Sequence, residues 1–192
     1  MLIPFGVFSA AGSGGGAAAG AYELISTTLI SSNTASVTFD LSAYTSTYKH
    51  IQIRALARGT ATYGHATYLR FNSDTGTNYS CHNLRANGSS VASVDSTANS
   101  TTIGAFPSVT GSSGTSGSFG ASIYDIVDAF STSKNKTVRA LYGMADGGSF
   151  DYYATLTSGN WRNTAAITSI YLAPETGNFV NGSRFSIYGI KG

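Results

Sequence analysis

The stretch His50-Ile-Gln-Ile-Arg-Ala-Leu-Ala-Arg58 puts Ile51, Ile53, Ala55 and Ala57 on one phase of a two-residue repeat and His50, Gln52 and Arg54 on the other. That repeat is the side-chain period of an extended strand with one face in a core and one in water. Leu56 is the exception, an apolar side chain on the polar phase. Upstream, Val37, Phe39 and Leu41 alternate with Thr38 and Asp40 in the same way. Downstream, Thr67, Leu69 and Phe71 alternate with Tyr68 and Arg70, and the run Asn72-Ser-Asp-Thr-Gly-Thr77 supplies a turn before a further strand over 78–84.

Farther along, residues 86–101 are a polar stretch without a strand signal. Strands are then expected near 102–106, 117–126, 137–144, 151–157, 166–172 and 184–190, with another at 22–30 near the start. About nine or ten short strands punctuated by Gly, Asn and Ser turns are the pattern of an antiparallel β-sandwich, and a jelly roll is the expected form. Ile123, Ile126, Val127 and Phe130 also fit helical spacing, so one short helix or turn is an open reading there, before the loop at 131–136. Residues 111–118 and 146–149 are too polar and glycine-rich for a core and read as loop tips. No internal repeat is apparent, which argues against a propeller or β-helix.

Residues 1–21 differ from the body that follows. Leu2, Ile3, Phe5, Val7 and Phe8 form an apolar patch joined by the run Ala11-Gly-Ser-Gly-Gly-Gly-Ala-Ala-Ala-Gly20 to the sandwich domain expected over 22–192. Glycine-rich chain gives reach without fixed orientation, and five large apolar side chains gain by leaving water. The segment is too short to span a bilayer and is broken by Pro4 and Gly6. No Lys or Arg precedes Lys49, so it lacks the basic start of a secretory signal, although Ala17-Ala18-Ala19 imitates a cleavage site. Against an export signal and a plain tail, we read it as an extended docking arm with Leu2, Ile3, Phe5, Val7 and Phe8 as its anchoring residues.

In the 192-residue chain only 10% of residues are charged, and the net charge is +2 with the basic residues dispersed. A surface of hydroxyls and amides suits a protein held in an assembly or outside a cell. The dispersed charge shows no basic stripe of the kind nucleic-acid binding demands. A lone Cys81 and three separated histidines, His50, His65 and His82, show no metal-site spacing, and no cofactor is expected.

Candidate chemistry is sparse. Asp74-Thr75-Gly76 matches the tripeptide of aspartic proteases, but it follows Asn72-Ser73 instead of an apolar strand end, and a hairpin turn explains it. The serines form no Gly-x-Ser-x-Gly elbow, and Glu23 and Glu175 are the only glutamates, so neither a nucleophile nor a carboxylate pair stands out and no catalytic residue is assigned. Asn-x-Ser/Thr triplets begin at Asn78, Asn87, Asn99, Asn135 and Asn181, as chance allows in so polar a chain. Tyr152, Tyr153 and Trp161 could present flat rings to a sugar; the alternative is that Trp161 fills the core and one tyrosine points inward.

Several stretches, Tyr48-Lys-His-Ile-Gln-Ile-Arg54, Leu69-Arg-Phe-Asn-Ser-Asp-Thr-Gly-Thr-Asn-Tyr79, Asp128-Ala-Phe-Ser-Thr-Ser-Lys-Asn-Lys-Thr137 and Asn178-Phe-Val-Asn-Gly-Ser-Arg-Phe-Ser-Ile-Tyr-Gly-Ile190, resemble small virion proteins of tailed bacteriophages, common among marine and cyanobacterial phages. The apolar start with its glycine-rich linker resembles that group as well. The resemblance implies a non-catalytic β-sandwich structural protein of the virion, assembled in the host cytoplasm. It implies attachment through the N-terminus and an oligomer, for which a homotrimer is the expected state. Its partners would be a major capsid protein or a tail- or portal-associated protein. Members serve as capsid decoration, head fibres, or tail fibres and other appendages. The last role would add recognition of host surface glycan. Neither a membrane nor a nucleic-acid partner is implied.

Overall fold

The computed structural model describes residues 21–145 and 152–192, apart from the side chains at 95, 96 and 105–107. Among them are twelve strands: β1 (Tyr22–Leu29), β2 (Val37–Asp40), β3 (His50–Ala57), β4 (His65–Phe71), β5 (Tyr79–Ala86), β6 (Val91–Ser100), β7 (Ile103–Val109), β8 (Gly120–Val127), β9 (Lys136–Ala145), β10 (Tyr152–Trp161), β11 (Ser169–Pro174) and β12 (Arg184–Ile190). They form an eight-stranded sheet, ordered β1-β12-β3-β8-β9-β10-β5-β6, and a four-stranded sheet, ordered β2-β11-β4-β7. All pairings between these strands are antiparallel. The chain is an all-β antiparallel sandwich.

Alternation dictates what each sheet buries. Ile51, Ile53, Ala55 and Ala57 of β3 line the core while Arg54 and Leu56 stay outside. On β9, Val138, Ala140, Tyr142 and Met144 are buried between exposed Thr137, Arg139, Leu141 and Gly143. The opposing small sheet contributes Val37, Phe39, Leu69, Phe71, Ile170 and Leu172 to the same core. Burying such side chains is worth about 1.5–3 kcal/mol each, which suffices for a domain of this size without disulfide or metal. The sheets approach closely where Gly120 lies under β7: a Cβ there would sit 2.6 Å from the Ser108 carbonyl oxygen.

Two local readings are settled by the structure. The polar stretch 86–101 contains β6, an edge strand paired only with β5 and interrupted by register shifts. Of the helix and turn readings at 123–130 the turn holds: β8 runs on to Val127, Ile126 points into the core, and a turn at 128–130 begins at Asp128 with φ +50°. The short helix of the described residues is instead a 3-10 turn at Ser42–Tyr44. The loop at 146–149 and the arm and linker within 1–20 lie outside the described residues.

Candidate functional site

Trp161 closes β10 and is 1% exposed. Its ring stacks on Tyr79 at 6.2 Å and tilts against Phe71 at 5.4 Å, so it belongs to the core and is not free to stack on a ligand. Its Nε1 donates to Asp74 Oδ2 at 2.7 Å; Asn78 Nδ2 donates to the same oxygen at 2.9 Å, and Gly76 N donates to Oδ1 at 2.8 Å. These donors hold the Asp74 carboxyl below its ordinary value, the indole contributing most. Asp74-Thr75-Gly76 is therefore a turn whose carboxylate braces the core. The tyrosine pair splits by alternation: Tyr152 is 49% exposed on the outer face, and Tyr153 turns inward with the Arg85 guanidinium 5.2 Å from its ring centre.

The histidines are not brought together. His50 Nδ1 on β3 accepts from the Asp128 backbone N at 2.8 Å; His65 is buried on β4 of the other sheet; His82 on β5 lies 2.7 Å from Ser93 Oγ. Among the described residues no group of His, Cys, Asp and Glu is arranged to hold a metal. Lys136 is buried, its ammonium donating to the carbonyls of Ser131 and Lys134 at 2.7 Å and of Thr164 at 3.1 Å, which pins the β8–β9 loop. Burial lowers its pKa.

Two concave features stand out among the described residues. A polar cleft of about 390 Å³ lies where the β5–β6 hairpin meets β4 and β7, lined by Tyr68, Asn83, Arg85, Thr97, Thr102 and Glu175. Thr157 Oγ1 donates to Asn83 Oδ1 at its floor. Burial, with the Glu175 carboxylate close by, raises the Tyr68 phenol. The cleft offers hydroxyl, amide, guanidinium and carboxylate groups beside a phenol ring, the mixture that holds a polyhydroxylated ligand.

The larger feature is a groove of about 790 Å³ on the outer face of the eight-stranded sheet. Ile123 and Leu141 line it, and cross-strand register continues their row beyond it. Ile123, Leu141, Leu156 and Leu84 stand side by side on β8, β9, β10 and β5, each between 40 and 57% exposed. The next row on the same strands is Ala121, Gly143, Ala154 and Ala86. Leu56 flanks that small-residue row on the β3 side, and Arg54 and Arg184 border the groove. Arg54 is held by its Nε donating to Gln52 Oε1 at 2.9 Å and lies 5.1 Å from the Tyr188 ring centre. Monomeric proteins rarely leave so continuous an apolar row in water.

Sequence reading did not single out this face. Its signal was the off-phase apolar residue in each alternating run: Leu56 against Arg54, Leu141 against Arg139, Leu84 against His82. The anchoring residues Leu2, Ile3, Phe5, Val7 and Phe8 lie outside the described residues. No helix among the described residues is long and apolar enough to cross a membrane.

Fold and site together define a class, an antiparallel β-sandwich with an exposed apolar row on the outer face of its larger sheet. Comparison with protein-family models, curated proteins and solved structures gives no match, so any narrower reading rests on the chain's own residues.

Proposed function

We propose that this chain is a non-catalytic structural protein of a tailed-phage virion, a capsid decoration or cement protein or a head fibre, attached by Leu2, Ile3, Phe5, Val7 and Phe8. The observation that carries the reading is an apolar-faced, weakly charged sandwich preceded by an apolar arm on a glycine-rich tether. Such a chain would offer the arm to one partner and the sheet face to another. The strand order lends support: β2-β11-β4-β7 opposite β3-β8-β9-β10-β5-β6 fits a jelly roll in which the three-strand meander β8-β9-β10 stands in place of one strand. Each large apolar side chain of the arm would contribute about 1.5–3 kcal/mol on burial in a groove of a shell or tail protein. Self-association would multiply the arms and make attachment nearly permanent.

The test is quantitative mass spectrometry of gradient-purified particles, set against the major capsid protein. Hundreds of copies support decoration, and absence from the particle overturns the structural reading. Removing residues 1–20 leaves the whole of β1 and the core in place, so the shortened chain should fold but fail to join the particle. A second reading, an appendage that recognises host surface glycan, is favoured by the polar cleft with Tyr68, Asn83, Arg85 and Glu175. A count of a few dozen copies or fewer would favour it.

A further inference from the structure

We propose that the outer face of the eight-stranded sheet is a self-association surface on which a second copy of this chain packs about a two-fold axis. This goes beyond the virion reading and stands on the sheet geometry alone.

An isologous contact needs a surface complementary to itself. Here the ridge Ile123–Leu141–Leu156–Leu84 runs beside the trough Ala121–Gly143–Ala154–Ala86, and the two rows use the same four strands in the same order. A two-fold axis lying in the interface, across the strands and midway between the rows, exchanges them. Leu141 of one copy then faces Gly143 of the other, Ile123 faces Ala121, Leu156 faces Ala154, and Leu84 faces Ala86. Large side chains meet small ones at every step, the interdigitation that lets sheets stack about 10 Å apart.

The charges obey the same operation. Arg54 extends the ridge and Leu56 extends the trough on β3, so Arg54 lays its aliphatic stem over Leu56 of the second copy. One strand farther out, Arg184 of the trough row faces Ser186 of the ridge row. Neither guanidinium faces its own symmetry mate, but Arg54 of the second copy, lying over Leu56, comes beside Arg184 of the first, a like-charge contact at the border that salt screens. In the next row Asp125 already accepts from Gln52 Nε2 at 2.8 Å and lies 3.4 Å from Arg139 Nη2, so it brings no unpaired charge to the contact.

The two rows cover five of the eight strands, so a stable association needs the flanking strands of the face as well. Eight strands about 4.8 Å apart and roughly seven residues long present a face of roughly 34 by 23 Å, or roughly 800 Å². A stable association buries about 800 Å² per partner.

The test uses the full chain. Sedimentation velocity and native mass spectrometry at micromolar concentration should show a dimer or an even-numbered oligomer. Leu141→Asp and Gly143→Lys, made separately, should each yield monomer, weakening association at least about tenfold, with unchanged far-ultraviolet circular dichroism. Both positions tolerate the change, since Leu141 is exposed and a Cβ on Gly143 meets nothing within 4 Å. Mixing the two variants should restore a heterodimer. The axis places the carboxylate introduced by Leu141→Asp in one copy against the ammonium introduced by Gly143→Lys in the other, while the second contact of the pair stays native. The proposal is overturned by a monomeric parent chain, by the trimer that the sequence resemblance implies, by oligomers that survive both substitutions, or by variants that fail to rescue one another.

Discussion

Trp161 Nε1 donates a 2.7 Å hydrogen bond to Asp74 Oδ2, joining the end of β10 to the β4–β5 turn across the core. Because Asn78 donates to the same oxygen and Gly76 to the other, the turn is shaped by an ionised carboxylate. Hydrogen bonds to charged groups contribute about 1.5–3 kcal/mol. Asp74→Asn, which keeps the shape but one acceptor oxygen only, should cost about 1–3 kcal/mol at pH 7 in urea unfolding. The folded carboxyl titrates below its unfolded value, so its stabilisation is fully present above about pH 4 and is lost as pH falls through the folded value. The gap between parent and variant should therefore narrow in acid. A gap independent of pH would mean that the carboxylate charge plays no part.

Trp161 and Tyr152 should separate packing from recognition. Trp161→Ala empties a position stacked on Tyr79 and Phe71 and should cost about 3–5 kcal/mol, with the loss visible as a lowered unfolding midpoint. Tyr152→Ala removes a ring that is half in solvent and should change stability by less than about 0.5 kcal/mol. Any loss of glycan or host binding on Tyr152→Ala would then be a loss of contact. Unchanged binding removes Tyr152 from the recognition reading.

Much of the sandwich is legible in the sequence because one buried face enforces period-two patterning. Val37, Phe39 and Leu41 are buried while Thr38 and Asp40 are exposed, as their alternation requires. β6 escapes because the apolar phase of this edge strand, Ala92, Val94 and Ala98, is small and broken by Ser96, too weak a pattern to stand out in a polar stretch. The outer groove escapes for a different reason. Whether an off-phase leucine is an isolated surface residue or one member of a row depends on register between strands far apart in the chain, as with Leu84 and Leu156, and local patterning does not carry that register.

Gly120 and Gly143 sit on neighbouring strands and should respond oppositely to substitution. A Cβ at Gly120 meets the Ser108 carbonyl, a backbone atom that cannot step aside, so Gly120→Ala should cost about 1–3 kcal/mol. At Gly143 the added methyl enters open space on a strand, where alanine also reduces the entropy of the unfolded chain, so Gly143→Ala should be neutral or stabilising by up to about 1 kcal/mol in the monomer. Thermal unfolding of the two variants checks the pair, and equal losses would contradict the close approach of the sheets at β7 and β8.

Asn72 combines a strained backbone with a bridging side chain. Its φ is +51°, in the left-handed region that asparagine enters more readily than most residues. Its Nδ2 donates to the Ala166 carbonyl at 2.8 Å, and its Oδ1 accepts from the backbone N of Thr168 at 2.8 Å and of Ser169 at 3.2 Å, fastening the end of β4 to the approach to β11. Asn72→Ala loses these bonds and keeps the strain; Asn72→Gly loses the same bonds but relieves it. Both should be less stable than the parent, Asn72→Ala by about 3 kcal/mol and Asn72→Gly by about 1 kcal/mol less than that. Urea unfolding of the three proteins gives both quantities, the shared loss measuring the bridge and the difference measuring the backbone. If the glycine variant is no more stable than the alanine variant, the left-handed turn at Asn72 carries no strain and the bridge alone accounts for the residue.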